Sequence, residues 1–386
     1  MNTIERDQAF VAPTYARFPV EIVKGEGAIL TAADGKEYID LGTGIAVNTF
    51  GMCDGEWIRA VTDQLHAFQH TSNLYYSSPC ARLAEALCTR TGMKKVFFSN
   101  SGAEANECAI KAARRYGTER KGADAYTILT LENSFHGRTI TTLSATGQDV
   151  FHKLFTPMTE GFVHAPANDL EAVKKIADEI PLAAIMFEVV QGEGGVNPLT
   201  REFVEGLVTL AREKDILLIA DEVQCGNGRT GMLYGYMNYG FTPDIFTTAK
   251  GLGGGLPIGA TVLGERVEVI FGAGDNGSTF GGNPVSCAGA FNILSRLDEK
   301  TLDGVKKRSQ MILGALSGAP GIKSVTGMGL MLGVETEKPA GDVIAACREN
   351  GVLVIKAKNK VRLLPPLNIP EELLARALDV LKKACK

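Results

Sequence analysis

Several large classes of protein are excluded by what this sequence lacks. No stretch stays apolar for the roughly twenty residues a membrane span needs. The start, Met1-Asn2-Thr3-Ile4-Glu5-Arg6-Asp7, has no apolar core of a secretory signal, so a soluble, cytoplasmic protein is expected. The 8 cysteines form no Cys-x-x-Cys pair and are too sparse for a disulfide scaffold, which fits a reducing compartment. Among 5 histidines only His66 and His70 have metal-ligand spacing; they read as an ordinary helix face, and no metal is expected. Basic excess is also missing, since 40 Lys and Arg stand against 44 Asp and Glu. Nothing here would hold a phosphate backbone, and nucleic acid is not an expected partner. Gly35-Lys36 lacks the earlier glycine of a nucleotide-binding loop, position 30 being Leu. Gly226-Asn227-Gly228-Arg229-Thr230-Gly231 has dinucleotide spacing, but Asp221 to Cys225 separate it from its strand and no apolar helix follows. A nicotinamide-dependent oxidoreductase is therefore the weaker reading.

What is present is a globular composition, 45% hydrophobic and 22% charged, over 386 residues. That length exceeds what one core usually organises, so a large unit and a smaller one are expected. Asp34-Gly35 suits a tight hairpin turn near the start, and the opening segment reads as β. From Cys80 onward, helical stretches alternate with the runs 96–98, 125–129, 183–187, 216–220 and 245–249. This is the rhythm of an α/β fold with parallel strands and crossover helices. After about Ala290 the chain changes to α+β character, with a loop at Gly327-Met328-Gly329 and a last helix from about Glu371.

In such sheets ligands bind beyond the carboxyl ends of strands, so the polar residues there come first. Ile216 to Ala220 ends in Asp221-Glu222-Val223-Gln224, two carboxylates at the mouth of a strand that should be buried. A buried carboxylate is costly without a cation or donor. The next strand ends in Lys250, followed by Gly251-Leu252-Gly253-Gly254-Gly255. An amine there should lose proton affinity and gain nucleophilicity. The plain alternative, that Lys250 snorkels outward and Asp221 caps a helix, loses ground through the company they keep. Ser101-Gly102-Ala103 opens a helix whose free N–H groups and dipole favour a phosphate, although the same residues serve as a simple cap. Phe135-His136-Gly137-Arg138 offers an aromatic face and a two-pronged cation, or an ordinary surface loop.

Taken together, Asp221-Glu222-Val223-Gln224, Gly228-Arg229-Thr230-Gly231, Pro243-Asp244 and Lys250 to Pro257 closely resemble the signature of class III (ω-amino acid) aminotransferases. Further matching segments lie at Gly44 to Asn48, Phe135 to Thr139, Gln191 to Gly195 and Arg362 to Asn368. They spread the resemblance over nearly the whole chain. It implies pyridoxal 5′-phosphate as cofactor and fold type I of the enzymes that use it. The mainly parallel central sheet would lie in a large domain, 51–290, with a smaller α+β domain built from 1–50 plus 291–386. It also implies that Lys250 carries the cofactor and moves a proton, and that Asp221 pairs with the ring nitrogen. Ser101, Gly102 and Ala103 would seat the phosphate, Phe135 would stack on the ring, and Glu222, Val223 and Gln224 would lie near it. Ser278 and Thr279 would reach the neighbouring subunit's site, which makes a homodimer part of the active site. Arg138 would hold the donor's carboxylate, and Arg362 that of glutamate, with Glu193 masking Arg362 in between. The implied reaction is ping-pong amino transfer from an ω-amino donor, N-acetyl-L-ornithine foremost, to 2-oxoglutarate. Succinylornithine, ornithine, 4-aminobutyrate and acylated lysine analogues stand as other donors; Gly44 favours an acylated one. The chain departs from the family at Gly51 to Trp57, where relatives carry Gly-His-x-His-Pro, and at Val189, where Pro is usual.

Overall fold

Strands covered by helices on both faces must be apolar on both sides. Leu182–Phe187 and Leu217–Asp221, buried throughout, accordingly lie at the centre of a seven-stranded sheet. The computed structural model describes residues 1–386. Across the sheet the order is Lys95–Ser99, Gly259–Leu263, Ile245–Thr248, Leu217–Asp221, Leu182–Phe187, Thr127–Leu131 and Phe162–Ala165. All run one way except Gly259–Leu263, which is antiparallel to both of its neighbours. That strand has no counterpart among the apolar runs expected from sequence. Its direction follows from the connection after Thr248, too short to hold a crossover helix. The helix Gly102–Lys121 packs on the sheet directly after the edge strand Lys95–Ser99.

The two ends of the chain meet. Ile22–Glu26, Ile29–Ala32 and Glu37–Asp40 form a meander, with Gly35 at φ 84° supplying its turn. Val352–Leu353 then pairs in parallel with Glu37–Asp40. A second four-stranded sheet holds Ile322–Met328, Met331–Thr336, Lys360–Leu363 and Ile355–Ala357. Gly327-Met328-Gly329 proves to be a hairpin turn within it. One hydrophobic cluster runs from Ala28 to Cys385, so the terminal segments share a continuous core with the central sheet. Two local expectations need correction. A helix, Thr3–Phe10, precedes the β segment, begun by a capping box between Asn2 and Glu5. The helix Gly55–Ala67 ends before His70, so His66 and His70 do not share a helix face; the His70 ring lies 5.3 Å from that of Phe280.

Candidate active site

A cavity of about 450 Å³ opens at the carboxyl ends of the central strands. Lys250 lines it, one residue beyond the buried Ala249 that follows the strand Ile245–Thr248. Its backbone is left-handed, φ 45°, a conformation a lysine adopts only under constraint. Burial pushes its amine below the ordinary lysine value, and the nearby Glu193 carboxylate opposes that shift. A lysine so placed loses its proton more readily and becomes a nucleophile.

Asp221, 3% exposed, also faces the cavity. Its Oδ2 accepts from Asn106 Nδ2 at 2.8 Å and meets His136 Nδ1 at 2.7 Å, while Oδ1 accepts from the Val223 N–H at 3.0 Å. These donors make a buried carboxylate tolerable. A carboxylate acceptor puts the imidazole proton on Nδ1, leaving the buried Nε2 without a partner. Strand alternation turns the next residue the other way. Glu222 lies outside the cavity wall, where its carboxyl accepts from the N–H groups of Gly235 at 2.6 Å and Tyr236 at 2.7 Å. Its expected place beside the cofactor is therefore corrected: it caps a neighbouring turn. Burial pushes its carboxyl up to about 7.

Ser101, Gly102 and Ala103 line the opposite wall at the start of Gly102–Lys121. Ser101 Oγ accepts from the Glu104 N–H at 3.2 Å, so the seryl side chain caps the helix. A methyl group on Gly102 would lie 2.7 Å from Val223 Cγ1, so only glycine lets the helix start stand this close to the strand end. The leading N–H groups of a helix have no intrahelical partner and attract an anion. Phe135 and Arg138 sit on the rim; the guanidinium lies 4.4 Å from the Phe151 ring centre and 5.5 Å from that of Phe135. Arg138 is exposed to the cavity mouth and free to take a carboxylate.

The second cation is masked. Arg362, 2% exposed, donates to both Glu193 oxygens, at 2.6 and 3.3 Å, and to Gln224 Oε1 at 3.0 Å. Burial opposes ionisation of Glu193, but Arg362 prevails and holds its carboxyl below the ordinary value. Neither partner lines the cavity; Gln224 does and joins them to it. Ser278 and Thr279 are also off the cavity wall of their own chain. Ser278 Oγ accepts from Asn100 Nδ2 at 3.2 Å, and Thr279 is exposed.

The altered segment Gly51 to Trp57 lies beneath the site. Asp54 caps Gly55–Ala67, accepting from the Trp57 N–H at 3.0 Å, and pairs with Arg296. Trp57 Nε1 donates to the Gly253 carbonyl at 3.1 Å, buttressing the glycines after Lys250. The Gly226 to Gly231 loop serves packing as well: Arg229, 2% exposed, donates to the carbonyls of Leu330 and Pro365. Sequence reasoning missed Asn106, the bond from His136 to Asp221, and Glu188. Glu188 follows the apolar run Leu182–Phe187 directly, and the strand-end rule applied there would have found it.

An amine whose proton affinity is lowered by burial, a buried carboxylate on the same cavity and an anion seat at a helix start define the site of a pyridoxal-phosphate aminotransferase. The chain belongs to the aminotransferase class-III family, whose model matches residues 10–385. Enzymes of this family work with pyridoxal 5′-phosphate, and the Gly102 cradle, Asp221 and Lys250 fit its phosphate, ring nitrogen and aldehyde in turn. An acetylornithine aminotransferase of Haemophilus ducreyi is 48% identical over 377 residues, 97% of this chain and 96% of that protein. A succinylornithine transaminase of Citrobacter koseri is 42% identical, over 100% of this chain and 97% of that one. The crystal structure of an ornithine aminotransferase from Toxoplasma gondii superimposes with TM-score 0.94 at 32% identity. It covers 99% of this chain and 94% of that one.

Proposed function

We propose that the chain transfers an amino group reversibly between N-acetyl-L-ornithine and 2-oxoglutarate, giving N-acetyl-L-glutamate 5-semialdehyde and L-glutamate, a step of arginine biosynthesis. The observation that carries this is the pair of unlike cations around one lysine: Arg138 open at the rim, Arg362 closed off by Glu193. An ω-amino donor presents its amine far from its carboxylate, which suits Arg138 at the rim. Glutamate reacts at its α-amine and brings a second carboxylate close to the reacting carbon, where Arg362 receives it once Glu193 withdraws. Bound pyridoxal phosphate supplies the carbonyl that takes up the amino group and a ring that accepts electrons. Lys250 would hold the cofactor and carry a proton on Nζ; Asp221, oriented by His136 and Asn106, would stabilise positive charge on the ring nitrogen. Ser101, Gly102 and Ala103 would hold the phosphate, and Phe135, Val223 and Gln224, which line the same cavity, would hold the ring.

A homodimer completes the reading, with Ser278 and Thr279 of each copy at the other's cavity. Leu74 at 86% exposure, Tyr76 at 108% and Phe280 at 59% form an apolar surface near that segment, of the kind two copies bury. The pairing of Val352–Leu353 with Glu37–Asp40 supports a small unit made of 1–50 plus 291–386 beside 51–290. Eight free thiols favour the cytoplasm. Succinylornithine is the second donor to weigh, because the Citrobacter koseri relative carries that name. Comparing kcat/KM for acetylornithine, succinylornithine, ornithine and 4-aminobutyrate tests the reading. Preference for acetylornithine is expected; a tenfold preference for any of the others would replace it.

A further inference from the structure

One buried carboxylate of the cavity has no part in the reaction just described. Glu188, 4% exposed, sits in the wall between the two substrate-selecting segments. Its Oε1 accepts from the Phe135 N–H at 2.9 Å, three residues before Arg138. Its Oε2 accepts from the Gly192 N–H at 3.3 Å, beside Glu193. Gly192 has no freedom on its other side, where a methyl group would lie 2.4 Å from Gln224 Oε1 and 2.8 Å from Met331 Cε. A single carboxylate thus spans the backbone of the donor-side rim and that of the Glu193 gate. Burial pushes the Glu188 carboxyl up to about 7, while His136 and the two N–H donors favour the anion.

We propose that Glu188 is a positioning residue that sets the Glu193 gate against the Phe135–Arg138 rim, and so governs the glutamate half-reaction selectively. The inference rests on the transamination reading above. Its direction follows from the two distances. In Glu188→Gln the amide oxygen keeps the shorter bond to Phe135, and the amide nitrogen then faces the Gly192 N–H, donor against donor. The gate loses its anchor while the rim keeps its own.

The test converts holoenzyme with one substrate at a time and follows the single turnover by the absorbance of the bound cofactor. In Glu188→Gln the second-order rate with glutamate is expected to rise about five- to tenfold, the weight of one hydrogen bond that holds the gate closed, and that with acetylornithine to change less than about twofold. Amide hydrogen exchange, read in the same proteins, should quicken across Gly192–Val196 and stay unchanged across Phe135–Gly137. Glu188→Asp, which keeps the carboxyl group but cannot span both N–H groups, should show the same one-sided gain and decides the matter if the Gln variant does not fold. Equal changes with both substrates, a glutamate rate that falls or stays put, or unchanged exchange at Gly192–Val196 would overturn the proposal. A wild-type protein that converts neither substrate would instead sink the transamination reading, and the exchange measurement would still judge Glu188.

Discussion

Replacing Glu193 by Gln should open the enzyme to glutamate. The wild-type pair makes two charge-assisted contacts, at 2.6 and 3.3 Å. Its arginine side chain is 3% exposed and its glutamate side chain 30%. Two unit charges 4 Å apart at an effective dielectric near 20 attract by about 4 kcal/mol, and desolvation leaves a net bond of about 1.5–3 kcal/mol. An acid that docks on Arg362 must first displace Glu193 and lose that amount. A neutral Gln still hydrogen-bonds the guanidinium, so the substitution removes only the ionic share, about 1–2 kcal/mol. The glutamate KM should accordingly fall roughly five- to thirtyfold. The donor, which leaves the pair closed, gains nothing, and its kcat/KM should stay level or decline. Separate half-reactions at fixed ionic strength read both values. A glutamate KM that stays put or rises would refute the masking argument.

Three other outcomes follow from the same structure. Gly102→Ala pushes a methyl against Val223 at the cofactor's phosphate seat. Overpacking of about 1–3 kcal/mol should weaken cofactor binding roughly five- to 150-fold in an equilibrium titration, and a second change, Val223→Ala, should restore most of it. Asp221→Asn keeps the shape but replaces one acceptor by an NH2 that faces the His136 and Asn106 donors. Turnover should drop at least a hundredfold with the cofactor still bound, as its absorbance would show. Glu222 makes stability depend on pH. Its carboxyl titrates near 7 in the fold against an unfolded value near 4.5, so the fold holds a proton that the unfolded chain releases. That stabilisation is complete below about pH 4.5 and is lost as pH rises through about 7, up to about 3 kcal/mol in all. Glu222→Gln lacks this loss, so its denaturation midpoint relative to wild type should rise between pH 5 and 8; a constant difference would show that Glu222 does not titrate there.

Much of this was legible because chemistry at a strand end leaves marks in sequence. Lys250 after an apolar run and Asp221 after another stand out against their neighbours, as does the glycine that lets a helix start approach a strand. Glu222 was misplaced because adjacency in sequence is opposition in a strand: one step along the backbone turned it to the far side. Gly259–Leu263 escaped notice because its small residues give no apolar run, and its reversed direction is set by a connection length, not a pattern. Glu188 and Asn106 earn their places only through contacts far along the chain, with Gly192 and Phe135 for one and Asp221 for the other. The burial of Arg362, which shields its pair with Glu193, likewise depends on how strands from the end of the chain pack on the central unit.

The central claim is that Lys250 holds the cofactor. Reducing the holoenzyme with borohydride, digesting it and locating the modified peptide by mass spectrometry tests this directly. The account predicts a yellow protein and one pyridoxyl label, on Lys250. A colourless protein that cannot be reconstituted with pyridoxal phosphate, or a label on any other lysine, would contradict it.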